Sequence, residues 1–258
     1  MRSERRSRNG KAAPTPTGEP SQPKEGEPGS TDRLLVLSDG LFAIAITLLV
    51  LDLKAPKVVG VGGADPTVRQ LGAALLAQWP TYFAYLMSFL NIGVLWNNHV
   101  TVFRYIRRTD HALTTLNTAL MLCVSIIPFT TSLLAEYLML SSAHREVAML
   151  VFSGAWFVTA VIFNILWFYA AKDRRLLDQR ISAAHYADVS KRYRYGPIVY
   201  LILFLLTAFG LPIASLILSA LLSVVYALPY NASKMVEAEL MEETAERRLF
   251  GRLLKRRR

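Results

Sequence analysis

The chain has 258 residues, 53% of them hydrophobic, and a formal net charge of +10, with a mean hydropathy of +0.31. The apolar residues gather into runs near the roughly 20 residues that a ~30 Å hydrocarbon core requires, which excludes an ordinary soluble domain. No strand-like alternation is present, which excludes a β-barrel, and the fold class expected is an all-α polytopic membrane protein.

Residues 1–32 are rich in Pro, Gly, Ser, Glu and Arg and contain no aromatic residue. Such a segment cannot bury enough surface to offset its ordering entropy, so a disordered basic tail is expected. It has no apolar run behind its arginines and is not a cleaved signal peptide. The first span is expected at Leu34 to Leu53, followed by a Gly-rich loop, Val58 to Asp65, that lacks the strand and helix context of a phosphate loop. An amphipathic lead-in from Thr67 to Gln78 precedes the second span, Trp79 to Val100, which ends in Trp96-Asn-Asn-His99. The third span, Ala112 to Leu134, contains Asn117 and Pro128. The fourth, Val147 to Ala171, carries Trp156, Trp167 and Tyr169, which read as interfacial anchors. A basic amphipathic connector, Lys172 to Arg194, leads to the fifth span, Pro197 to Phe209, then a Gly210-Leu-Pro212 turn and a sixth span ending near Tyr230. Residues 231–258 form a charged tail, so the domain expected is 33–230 between two tails.

Six spans put both termini on one side, and the basic residues agree: all of the 29 lysines and arginines except Lys54, Lys57, Arg69 and Arg145 fall on the side of the termini. That bias orients both termini to the cytoplasm. It also explains the net charge without nucleic acid. Cys123 is the only cysteine, so no intrachain disulfide is expected. The histidines, at 99, 111, 144 and 185, lack metal-ligand spacing, and no nucleophile–base or nucleotide motif is present. No enzyme and no cofactor is expected. Asn231-Ala-Ser233 fits a glycosylation pattern but lies on the cytoplasmic side.

The first span holds polar residues that a lipid anchor does not need. A carboxylate at a helix centre costs roughly 2.5–3.5 kcal/mol on insertion scales, so Asp39 calls for a partner, with Arg33, His99 and Arg104 at matching depth. Alternatively, Ser38 and Asp39 cap the start of the helix. Ile44, Leu48 and Leu51 follow i, i+4, i+7 spacing, with Thr47 beside them. That stripe is read either as packing and lipid contact or, if copies meet at an axis, as a hydroxyl ring among aliphatic rings.

Arg33-x-x-x-Leu37-Ser-Asp-Gly40, followed by Ala43-Ile-Ala-Ile-Thr-Leu-Leu-Val-Leu-Asp-Leu53, resembles the signature of the endosomal and lysosomal potassium channel transmembrane protein 175 and its bacterial relatives. That family has Phe at the position of Leu37. Trp96-Asn-Asn-His99, Phe103, Arg108, Asp110, Leu116-Asn117 and Pro128-Phe-Thr130 extend the likeness, which covers about residues 33–230. With one six-helix unit, the chain resembles the bacterial members rather than the tandem animal form. The resemblance implies a homotetrameric, potassium-preferring channel of the plasma membrane whose pore is lined by the first helix. It implies that Ile44 forms the narrowest point, that Thr47 forms the hydroxyl ring tied to potassium preference, and that Leu48 and Leu51 continue the lining. It implies a polar network of Arg33, Ser38 and Asp39 with Trp96 and His99. The implied partners are potassium ions, lipid and three further copies of the chain. A proton-coupled transporter using Asp39 and His99 is the alternative, and a non-catalytic membrane scaffold a second one.

Overall fold

The computed structural model describes residues 30–59, 65–178, 180 and 182–227, and eight α-helices are formed among them. Most of both expected tails, and the sequon Asn231-Ala-Ser233, lie outside the described residues.

Helix α1, Ser30–Leu49, runs on through a 3-10 turn, Val50–Asp52. It starts earlier than expected, so Ser38 and Asp39 lie well inside it and do not cap it. The short α2, Val68–Ala77, opens with a capping box in which Thr67 and Gln70 satisfy each other's backbone N–H groups. Pro80 sits in the first turn of α3, Trp79–Tyr105, where its missing N–H removes no bond. Helix α4, His111–Tyr137, is capped by Asp110 and carries Pro128 internally. Helix α5, Ser142–Ala171, begins earlier than expected. The connector contains α6, Ala183–Arg194, and is followed by α7, Gly196–Ala208, and α8, Pro212–Ala227. Between the last two, Gly210 adopts φ +78°. The Leu211 N–H then reaches the Leu206 carbonyl and the Gly210 N–H that of Thr207, a helix-ending pattern that favours glycine at this position.

Six helices form a closed bundle. Helix α1 packs on α3 and α4, α4 on α5, α5 on α7, α7 on α8, and α8 returns to α3. The stretches Thr31–Asp52, His111–Tyr137 and Ser142–Arg174 are long and apolar enough to cross a membrane. Helices α7 and α8, at 13 and 16 residues, are about 20 and 24 Å long at 1.5 Å per residue.

Two expectations about α5 fail. Trp156 and Trp167 are 3% and 1% exposed and stand in the bundle core rather than at an interface. Trp156 stacks on Tyr200 of α7, and Trp167 packs edge-on to Tyr105 and Tyr193 while its Nε1 donates to Ser190 Oγ at 3.1 Å. Helix α5 keeps one exposed face, with Val147, Val151, Val158 and Ile165, but Trp156 and Trp167 stand on the face that packs on α4, α6 and α7, so their rings fill the core. Tyr169, by contrast, is only partly buried and donates to Asp110 Oδ2 at 2.7 Å, at the start of α4.

Candidate functional site

The site is built on α1, whose two faces differ. Ser38, Phe42, Ala45 and Leu49, at i, i+4, i+7 and i+11, are buried against α3 and α4. Ile44, Leu48 and Leu51 are 60%, 42% and 66% exposed, and Thr47 is exposed among them. The chain thus brings all four stripe residues onto one free face. Thr47 Oγ1 donates to the Ile44 carbonyl at 2.9 Å, which satisfies its proton inside the helix and leaves its lone pairs as acceptors on that face.

The polar residues at the start of α1 divide into two sets. In the buried set, Ser38 Oγ donates to the Leu34 carbonyl at 2.8 Å and accepts from Asn117 Nδ2 at 2.9 Å. Asn117 Oδ1 in turn lies 2.9 Å from His99 Nε2. Because the amide oxygen can only accept, His99 carries its proton on Nε2, and the chain of bonds runs in one direction from His99 through Asn117 and Ser38 to the α1 backbone. Phe42 and Phe103 hold the His99 ring between them at 5.4 and 4.4 Å. In the second set, Trp96 Nε1 donates to Asp39 Oδ1 at 2.8 Å, nearer the surface. The carboxylate partner is thus an indole on α3 rather than Arg104 or His99. Arg33 is exposed and lines a surface groove with Leu34, Leu37, Thr109 and Thr114, apart from both sets.

Two participants carried no role in the sequence reading. Asn117 is the bridge of the buried set, and its signal was an amide inside an apolar run, where an unpaired polar group is costly. At the far end of α1, Ser132 Oγ donates to Asp52 Oδ1 at 3.0 Å. Its signal was only a hydroxyl near a helix end, which is common. Among the described residues no group of three or more His, Cys, Asp or Glu side chains is arranged to hold a metal.

The arrangement anchors one face of a long apolar helix to its own bundle through directed polar bonds, and among the described residues the other face, with Thr47, Leu37, Ile44, Leu48 and Leu51, stays exposed. The family model described as "Endosomal/lysosomal potassium channel TMEM175" matches residues 33–128, which take in most of α1, all of α2 and α3, and α4 as far as Pro128. A protein of Chamaesiphon minutus named "Potassium channel Cha6605_3372" is 42% identical over 212 residues, covering 80% of this chain and 98% of the relative. "Endosomal/lysosomal proton channel TMEM175" of Danio rerio is 31% identical over 163 residues, covering 62% of this chain and 29% of that longer protein. The crystal structure of a lysosomal potassium-selective channel TMEM175 homolog from Chamaesiphon minutus superposes with a TM-score of 0.66 at 39% identity, covering 77% of this chain and 96% of that one. These relatives are ion channels, not enzymes. A relative of nearly matching extent and a shared fold agree with the signature on α1: the chain belongs to the TMEM175 potassium channel family.

Proposed function

We propose that four copies of this chain form a potassium-preferring cation channel whose pore is lined by α1. The observation that carries this reading is the free face of α1, on which Ile44, Thr47, Leu48 and Leu51 stand together while the opposite face is bonded to α3 and α4. The names of the bacterial relatives as potassium channels support the ion. In this reading residues 33–230 are the channel domain, with α1, α3, α4, α5, α7 and α8 as six spans. Both termini lie in the cytoplasm, in keeping with the basic bias, and residues 1–32 and 231–258 are tails. The channel is of the plasma membrane.

Ions meet the Ile44 side chains as an apolar constriction that closes the path by excluding water, and partly exchange hydration for the Thr47 oxygens. With so few ligands and no carbonyl cage, the preference for potassium is modest. Potassium and sodium flux through the purified protein in liposomes tests this. Thr47→Val lowers the potassium-to-sodium ratio, and Ile44→Ala raises flux through the wider constriction. Unchanged ratio and unchanged flux sink the two assignments in turn.

Proton passage is a second reading, supported by the naming of vertebrate relatives as proton channels. Asp39 and His99 are its titratable groups near α1, although each is bonded to a different partner, Trp96 and Asn117, rather than to the other. A pH-sensitive dye in the same liposomes separates the cases: a proton-coupled transporter loses all flux in Asp39→Asn, whereas a channel still passes potassium.

A further inference from the structure

Helix α1 is tied to its bundle by polar bonds at two levels. The first is the pair of bond sets at Ser38 and Asp39. The second is Asp52, on the 3-10 turn that ends the helix, held by Ser132 of α4. Asp52 follows directly on Leu51, the last residue of the exposed stripe, so whatever holds the carboxylate sets where Leu51 and Leu48 stand.

The α4 segment that holds it is distinctive. Pro128 lies inside α4, so the carbonyl one turn earlier, at Val124, has no helical N–H to accept from, and the helix can bend there. Three hydroxyl residues, Thr130, Thr131 and Ser132, follow. Thr130 and Thr131 each give their proton back to the Ile127 carbonyl, at 2.9 and 2.8 Å. Thr131 then accepts from Ser88 Oγ of α3 at 2.7 Å, both groups being buried. Ser132 points the other way and donates to Asp52. The part of α4 beyond Pro128 is therefore bonded on one side to α3 and on the other to the end of α1, and a tilt of that segment moves both.

We propose that Asp52 is a positioning residue for the pore: through Ser132 it ties the end of α1 that carries Leu48 and Leu51 to the part of α4 beyond Pro128, and so sets the width of the aliphatic lining. The proposal rests on the reading of α1 as pore-lining. It assigns Asp52 a hydrogen-bonding role rather than that of a charge drawing cations to the mouth. The two roles separate cleanly, because Asn keeps the Oδ1 acceptor at this position and removes the charge.

The test is potassium flux into liposomes holding the full chain, normalised to the assembly recovered by size exclusion, so that a loss of folding shows as yield rather than as rate. Asp52→Leu and Ser132→Ala each change the rate in the same direction by about 5- to 10-fold, and the double variant changes it no further, as groups in direct contact are coupled. Asp52→Asn and Ser132→Thr keep an acceptor and a donor and restore the rate to within about twofold of the unsubstituted protein. A double variant whose effect is the product of the two single effects overturns the proposal. So does an Asp52→Asn as altered as Asp52→Leu beside a silent Ser132→Ala, since charge is then the active property. If the unsubstituted protein passes no ions, the pore reading falls and this proposal with it. If it conducts but the cycle shows no coupling, this proposal falls alone.

Discussion

At the scale of single residues, Asn117 and Trp96 make an informative contrast. Both carry an inter-helix bond to α1 of similar length, 2.9 and 2.8 Å. Asn117 is 1% exposed and serves two neighbours, whereas Trp96 is 43% exposed and serves one. Interhelical hydrogen bonds in membrane proteins average about 0.6 kcal/mol, because the separated helices find other partners. An orphaned buried donor costs more, about 1–3 kcal/mol. Asn117→Ala strands the His99 Nε2 proton in a fully buried ring, so it is expected to lower stability by about 1–3 kcal/mol, and Trp96→Phe by about 0.6 kcal/mol. Thermal unfolding in detergent measures both, and equal losses would contradict the view that burial, not bond length, decides their worth.

At the scale of elements, the connection between α3 and α4 is paired with the one between α5 and α6. The N–H groups of Arg107 and Arg108 donate to the Leu176 carbonyl at 2.9 and 3.2 Å, and Asp178 N–H to the Tyr105 carbonyl at 2.9 Å. This pairing holds a turn in which Asp173 and Arg174 both take φ +54°, a conformation that costs non-glycine residues of order 1–3 kcal/mol each. Two carboxylates complete the junction. Asp178 is held at about 2, below its ordinary 3.8, first by hydrogen bonds from the Arg180 side chain and backbone, then by the charges of Arg180 and Arg107. Asp110 is held below its ordinary value by the Leu113 N–H, then by the Tyr169 hydroxyl and Arg175. A carboxylate whose folded pKa is depressed contributes stability above its unfolded pKa and loses it as pH falls through the folded one. The melting temperature of the protein is therefore expected to fall between pH 3.8 and about 2, and to fall less steeply in Asp178→Asn. Identical pH profiles for the two proteins would show that the junction does not draw on this charge.

At the scale of the whole molecule, the surface of the bundle includes an α1 face that combines large aliphatic side chains with a hydroxyl. Leu51 at 66% exposure and Ile44 at 60% are at home in lipid or against further copies of the chain. Light scattering of the purified protein, corrected for detergent, distinguishes the two. The expected mass is that of four chains, and a mass of one chain would leave the face to lipid.

The amino-acid sequence by itself determined that the chain is helical and membrane-bound, because run length and hydropathy are local properties. It also placed α2 at Val68–Ala77 and α7 at Gly196–Ala208 nearly to the residue, since Thr67 opens the first and Pro197 and Gly210 bound the second. The grouping of Ile44, Thr47, Leu48 and Leu51 followed from helical period alone. What that period could not supply was the direction of the stripe, which depends on what covers the other face. Only the tertiary structure decided that Ser38 and Asp39 bond to α4 and α3 instead of capping α1. Only there do Asn117 and Ser132 emerge as the groups that hold α1 at its two ends, and Trp156 and Trp167 as core residues. In each case the deciding contact joins residues far apart in the chain, 79 positions for Ser38 and Asn117 and 80 for Asp52 and Ser132. A hydroxyl or an amide in an apolar helix calls for a partner, but which helix supplies it is settled only when the bundle closes.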